Sequence, residues 1–388
     1  MRLVFSTDSF VYAGRPRPGL PIMLGDDMWP LQPAQEFLIH RLLGKGKALS
    51  RLTWEDYGRR LWDYFAFLHG HGIKWDDCSE NHGQGPIARY KTWSLAEVGV
   101  SRRTLNARLR LVIEFYTWAF KHGHIQTLPF GFEVCRAYKG EHLLVHAVDP
   151  GAVLERPDVF EREWSAPPDF LALEEIAACR ASAALRRAGP RLLFDLMWRT
   201  GLRSCEARTF PLKYVFDPSR RNDCHRGRMI RLTLDPRDMW IKFGKPRQVD
   251  IPYSLMQDMH AYTLYERNRL RSVSTQEHAA LVLSEYGRPY SRNAVGDMMR
   301  AVSAEIGSGF RVTALMLRHS YAVHTLARLR SVPDFKGEPL LYVRDRLGHA
   351  DVTTTAIYLG QLNQLASGVV IAIEDEFDRM FEVPAVTQ

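Results

Sequence analysis

Arg203, Lys242, Arg318, His349 and Tyr358 are the residue types that phosphoryl transfer without a metal ion requires. A phosphodiester under attack gains charge on its nonbridging oxygens. Two guanidiniums grip those oxygens in a fork and stay charged at any relevant pH. A lysine protonates the departing alkoxide, and a histidine donates a hydrogen bond to the phosphate. Tyrosine, with an ordinary pKa of roughly 10, becomes a nucleophile when nearby cations favour its phenolate, and it then forms a covalent phosphotyrosyl link. Arg318, His349 and Tyr358 fall in one stretch, opened by Leu317-Arg318-His319 and followed by Leu347-Gly348-His349. Arg203 and Lys242 lie more than 70 residues upstream of Arg318 and must be folded in.

Singly, each residue has an ordinary role. Arg203 pairs with Glu206, Lys242 is a solvated strand lysine, His319 and His324 pack, and His349 caps a helix. Tyr358 is one of 15 tyrosines. Their order and spacing favour the catalytic reading.

The elements that position them divide the chain into several regions. Residues 1–30 hold Gly14, Arg15, Pro16, Arg17, Pro18, Gly19 and Pro21 and are expected to form a loop or arm. Residues 31–140 have a helical pattern. Tyr57, Leu61, Tyr64, Phe65 and Leu68 recur at threes and fours behind a Thr53 cap, and Leu105, Leu109, Val112, Tyr116 and Phe120 do so behind a Ser101 cap. Residues 141–168, punctuated by Pro150, Gly151, Pro157, Pro167 and Pro168, read as a linker. A second domain spans 169–388, with Asp169 as the expected first cap and a tail from 361. Gly201 should end a helix, so that Arg203 projects at a corner. Met229–Leu234, Trp240–Lys242 and Val249–Ile251 alternate as strands of a small antiparallel sheet. Asp351 or Thr353 should cap the segment that carries Tyr358. The tail holds an apolar run, Val369–Ile373, suited to a partner surface or to its own domain. The fold class is therefore mainly α with a small antiparallel β-sheet.

Lys and Arg total 52 against 44 Asp and Glu, a formal charge of +8, which points to a polyanionic partner. Arg102, Arg103, Arg108 and Arg110 cluster on one helix as candidate DNA-backbone contacts. The five cysteines are scattered with no C-x-x-C pair, which argues against a disulfide framework or a structural zinc. No 18-residue apolar run exists, and the N-terminus meets charge too early for a signal peptide, so a soluble cytoplasmic protein is expected.

The chain resembles the tyrosine recombinases of the phage-integrase type over residues 31 to 360. Thr200-Gly201-Leu202-Arg203-x-x-Glu206 is similar to their first arginine box and Leu317-Arg318-His319 to the second. The run from Leu347 to Tyr358 is similar to the final box almost throughout. Lys242, with Lys245, Arg247 and Val249 after it, fits the lysine hairpin, and Lys245 is the fallback for the lysine.

The resemblance implies a helical, SAM-like core-binding domain followed by a catalytic domain. It implies site-specific recombination or integration through a 3′-phosphotyrosyl intermediate, without metal, ATP or another cofactor, in service of a mobile element. Tyr358 would be the nucleophile and Arg203, Arg318, Lys242 and His349 the catalytic partners. Glu206 and His319 would support them, and Lys245 and Arg247 would contact DNA. The implied partners are double-stranded DNA, a homo-tetramer on two sites, and a sister recombinase or DNA-bending factor. The pattern breaks at Leu315, where the family usually carries histidine. Leucine neither donates a hydrogen bond nor passes a proton, so slower or partner-dependent cleavage is expected. Two rival readings are a catalytically weakened DNA-binding accessory subunit and a type IB topoisomerase-like activity.

Overall fold

The computed structural model describes residues 1–44, 50–78, 84–136, 153–163, 168–307, 311–333 and 335–366. The chain splits into two compact units, Met1–Ser165 and Ala166–Gln388.

The first unit opens with strands rather than the expected arm. β1 (Arg2–Phe5) pairs antiparallel with β4 (Pro21–Leu24), and β2 (Val11–Tyr12) pairs with β3 (Arg15–Pro16) between them. Proline tolerates such pairing because each strand of a two-stranded sheet has an edge without a partner. The ribbon is anchored by Leu20 and Met23, both buried. The buried Gln35 side chain accepts from the Met23 N–H at 2.9 Å and donates to the Pro21 carbonyl at 3.2 Å.

Helices α1 (Ala34–Leu43), α2 (Arg51–Gly70), α3 (Pro86–Ala96) and α4 (Arg102–Lys121) follow. Ser101 caps α4 as expected, but Ser50 rather than Thr53 caps α2. The apolar faces of α2 and α4 meet in one aromatic core. There Tyr64 and Tyr116 share a hydrogen bond of 2.7 Å, and Tyr116 donates to the Trp75 carbonyl at 2.7 Å. Phe120 stands outside that core, 45% exposed on the last turn of α4. Strands β5 (Phe132–Arg136) and β6 (Val153–Pro157) pair antiparallel, so part of the expected linker is sheet. Positions 141–152 and 164–167 of that linker lie outside the described residues.

The second unit begins with α5 (Leu173–Ala181), capped at Ala172 rather than Asp169, then α6 (Ala188–Thr200) and α7 (Ser204–Arg208). β7 (Met229–Leu234) pairs antiparallel with β8 (Arg247–Pro252), placing Leu234 opposite Arg247. Trp240–Lys242 is not a strand. Met239 and Ile241 are buried while Trp240 and Lys242 are exposed, so the alternation is real, but no strand pairs with it. A short 3-10 turn, Lys242–Gly244, leads into β8. α8 (Tyr253–Tyr262) runs through a π turn, Thr263–Arg267, into α9 (Asn268–Arg271).

α10 (Arg292–Ile306), α11 (Ala314–Ser331), α12 (Pro339–Leu347), α13 (Thr353–Ala356) and α14 (Leu359–Ala366) complete the unit. Two apolar clusters hold it together. The larger spans α5 to α8, the β7–β8 pair, α10 and the start of α11. The smaller joins Tyr321, Ala322, Val323 and Leu326 of α11 to Leu340, Val343 and Leu347 of α12, and includes Tyr358. The tail after residue 366, with its apolar run, lies outside the described residues.

The N-terminal ribbon is integral to its unit. Met23→Ala should cost roughly 2–5 kcal/mol in urea denaturation. A loose arm would lose less than about 0.5 kcal/mol, the usual surface value.

Candidate active site

Gly201, the residue after α6, adopts φ 67°, a left-handed conformation that ends helices at little cost only for glycine. The chain turns there and presents Arg203 just before α7. Glu206, with 0% exposure, faces back: its carboxylate accepts from the Arg203 backbone N–H at 2.8 Å and from the guanidinium at 3.3 Å. The ordinary ion pair expected of these two residues therefore exists, and it orients the arginine.

Arg318, 3% exposed on α11, lies in a cradle of carbonyls. Its Nη1 donates to the Gly201 carbonyl at 2.6 Å and its Nη2 to the Leu347 carbonyl at 2.5 Å. These carbonyls end α6 and α12, and helix C-termini carry partial negative charge that suits a cation. Even so, burial and the nearby Arg203 and Arg247 pull the Arg318 pKa down to about 9. The guanidinium remains charged at neutral pH and lacks a carboxylate partner among its hydrogen bonds.

Arg247 departs from the expected surface contact. It is the first residue of β8, and its Nη2 donates to Glu206 at 2.6 Å while Nη1 donates to the Arg346 carbonyl. Its side chain is 7% exposed. Strand alternation was the available signal, because Arg247 shares a face with the buried Val249 and Ile251. Gly348, at φ 65°, makes room for it: a Cβ there would lie 2.6 Å from Arg247 Cδ. Burial pushes the Glu206 pKa up, but Arg247, the Arg203 N–H, Arg203 and Arg318 more than offset that, leaving it below its ordinary value.

His349 follows Gly348, and its Nδ1 lies 2.9 Å from Thr355 Oγ1. Burial, Arg318 and Arg203 drive its pKa down to about 3. Tyr358 lies in the turn between α13 and α14 rather than within a capped helix, and it is 1% exposed. Its hydroxyl is 2.7 Å from His319 Nδ1. Burial raises the phenol pKa, while Arg318 and Arg203 act in the opposite direction. Burial and Arg318 bring the His319 pKa down to about 4, so both histidines are neutral near pH 7.

The structure thus gathers Arg203, Arg318, His349 and Tyr358, with Glu206, His319 and Arg247 behind them. Lys242 stands apart, exposed on its turn with Nζ 5.0 Å from the Phe243 ring centroid. Lys245 is likewise exposed. Leu315 is 60% exposed on the first turn of α11.

In the first unit Arg103 is exposed, and Arg102 is exposed with a 3.4 Å bond to the Arg162 carbonyl. Arg110 lies 3.8 Å from Glu163 with a largely exposed side chain. Arg108 is not a free phosphate contact, because it is held inward by Asp63 at 2.7 Å. Among the described residues, no cluster of three or more His, Cys, Asp or Glu gathers as metal ligands would. Among them too, no helix is long and apolar enough to cross a membrane.

A mainly helical two-unit chain with this arrangement has the fold of the tyrosine recombinases. Three solved structures share it. XerH recombinase bound to a palindromic difH substrate, in a post-cleavage complex, is 16% identical with a TM-score of 0.54, covering 89% of this chain and 90% of that one. A lambda integrase dimer bound to a COC′ core site is 14% identical with a TM-score of 0.53, covering 83% and 94%. The Tn1549 transposon integrase with a circular intermediate DNA is 15% identical with a TM-score of 0.53, covering 90% and 98%.

Residues 173–364 match the phage integrase family, and residues 35–123 match the phage integrase N-terminal SAM-like domain. Tyrosine recombinase XerD of Bifidobacterium longum is 25% identical over 334 residues, 84% of this chain and 91% of the relative. XerC of Salmonella typhi is 25% identical over 322 residues, 82% and 88%. The chain belongs to the phage integrase family of tyrosine recombinases.

Removing Arg247 would strand a buried carboxylate. Arg247→Met should lower stability by roughly 3–5 kcal/mol at neutral pH. Glu206 stabilises the fold above its ordinary pKa, and that contribution fades as pH falls through its lowered native value. Without that guanidinium the buried carboxyl takes up a proton more readily, so the deficit of the variant should shrink as pH falls from neutral into the acid range. Urea denaturation at neutral and at acid pH measures the difference.

Proposed function

We propose that the chain cleaves and rejoins DNA as a site-specific recombinase or integrase, through a 3′-phosphotyrosyl intermediate formed on Tyr358. The observation that carries this reading is the convergence of two buried or half-buried arginines, Arg203 and Arg318, on the electrostatics of one buried tyrosine. Such a site has positive charge ready where the attacked phosphate gains negative charge.

In this mechanism Arg203 and Arg318 hold the nonbridging oxygens, and His349 donates a hydrogen bond to them. Tyr358 Oη attacks phosphorus and the 5′ oxygen departs. Lys242, on its exposed turn, closes over bound DNA and protonates that oxygen. The 5′-hydroxyl of a second strand reverses the step. The ester conserves the bond energy, so no ATP is consumed, and the side-chain cations supply the charge a metal would bring. Glu206 and Arg247 position Arg203.

Double-stranded DNA is the partner, with Arg102, Arg103, Arg110 and Lys245 on its backbone. The working unit is a homo-tetramer on two sites, and the biological role is movement of a genetic element. Support comes from the DNA-bound states of the structural relatives, one of which is a transposon integrase. The exposed Leu315 favours one alternative, an accessory subunit that binds DNA but cuts it slowly or not at all.

The test is covalent trapping on a random-sequence pool of nicked duplexes, read as detergent-resistant protein–DNA adducts. Wild-type protein should form adducts with a chelator present, and Tyr358→Phe should form none. Arg203→Ala and Arg318→Ala should each cut the adduct rate by roughly 10²–10³. Retained DNA binding with no wild-type adduct would favour the accessory reading.

A further inference from the structure

The phenol of Tyr358 must lose a proton to become a nucleophile. Burial holds that proton more firmly than in a free tyrosine, so almost no phenolate exists beforehand at pH 7. The proton must leave as the bond to phosphorus forms, and the acceptor must already lie within about 2.6–3.2 Å.

Few groups qualify. The Glu206 carboxylate is fully buried and already engaged by Arg203 and Arg247. His349 directs Nδ1 to Thr355. Lys242 is a cation on an exposed turn. Position 315 lies one helical turn before 319, on the same face of α11, and holds an exposed leucine without a lone pair. His319 Nδ1 lies 2.7 Å from Tyr358 Oη, with the two ring centroids 5.5 Å apart.

We propose that His319 is a catalytic residue that takes the Tyr358 proton on Nδ1 during cleavage and returns it during rejoining. This rests on the phosphotyrosyl reading above. With Nε2 carrying the ring hydrogen, the Tyr358 hydroxyl donates to the Nδ1 lone pair. In cleavage the Oη–H bond breaks and Nδ1–H forms, the Oη–phosphorus bond forms, and the bond from phosphorus to the 5′ oxygen breaks. The departing oxygen takes a proton from Lys242. One cation appears on His319 as one disappears from Lys242, so charge and protons balance, and rejoining runs each transfer backward.

The surroundings suit this cycle. In the free protein, burial and Arg318 keep His319 neutral, so its lone pair is open. A phosphate bound to Arg318 brings negative charge that offsets the arginine. Asp169 already favours the imidazolium.

Two measurements test the proposal. In the free protein, nitrogen NMR of the His319 ring should show a bare Nδ1 whose shift moves in Tyr358→Phe; a hydrogen on Nδ1 overturns the assignment. In the adduct assay, His319→Gln keeps a hydrogen-bond acceptor but cannot take up the proton. It should retain the wild-type melting temperature yet form adduct roughly 100-fold more slowly.

Substrates with sulfur at the bridging 5′ position release a thiolate, which needs no proton donor because its pKa is about 8.5. Sulfur should restore Lys242→Ala and leave His319→Gln slow. Rescue of both variants overturns the proposal, as does a His319→Gln rate within about threefold of wild type. In either of those cases adduct formation by wild type leaves the recombinase reading standing. Absence of any wild-type adduct overturns both.

Discussion

The carboxylate of Glu206 is the constraint on which the site depends. It has no exposure to water, and a buried charge of that kind is tolerated only when it is paired and hydrogen-bonded. Arg203 contributes a backbone N–H and a guanidinium, and Arg247 contributes a second guanidinium. One anion therefore fixes an arginine from the α6–α7 corner and another from the start of β8. Arg247 passes the constraint on, because it also binds the Arg346 carbonyl at the end of α12, one turn from His349. Three separated parts of the sequence are tied to a single acid.

Positive charge exceeds negative charge inside this cluster. Among the described residues, Arg203, Arg247 and Arg318 share the buried carboxylate of Glu206, and Arg318 itself binds helix-end carbonyls. Burial first, and then this imbalance, depresses the pKa of Arg318 and of both histidines. An arriving phosphate would relieve that repulsion, so part of its binding energy is prepared in the free protein. Burial and the same field keep the histidines neutral, with a ring lone pair open.

Much of this was legible in the sequence, because the strongest signals were local. Gly201 had to end a helix, and Arg203 beside it had to project. Ser101, followed by an apolar stripe, had to start one. The tertiary features were harder to read. Arg247 looked like a hairpin cation, and its burial depends on the glycine at 348, about a hundred positions away. The N-terminal ribbon was hidden by its prolines, which signal loops unless a neighbouring face, here Gln35 and the α2 surface, holds them extended. Lys242 was legible as a residue near a tip, and it stands there, exposed on a short turn.

Tyr358 belongs to the smaller apolar cluster, while the corner bearing Arg203 is packed into the larger one. Arg318 spans the two, with one nitrogen on the carbonyl at the end of α6 and one on that at the end of α12. The cluster around Arg318 is therefore a joint between two separately packed blocks. Packed blocks slide more readily than they deform. The placement of Tyr358 against Arg318 is accordingly set by aliphatic side chains such as Leu326, Leu340 and Val343, which carry no charge. A change of a single methyl group there would shift Tyr358 against the arginines without touching a charge, so the geometry of the cluster can be retuned from its oil rather than from its ions.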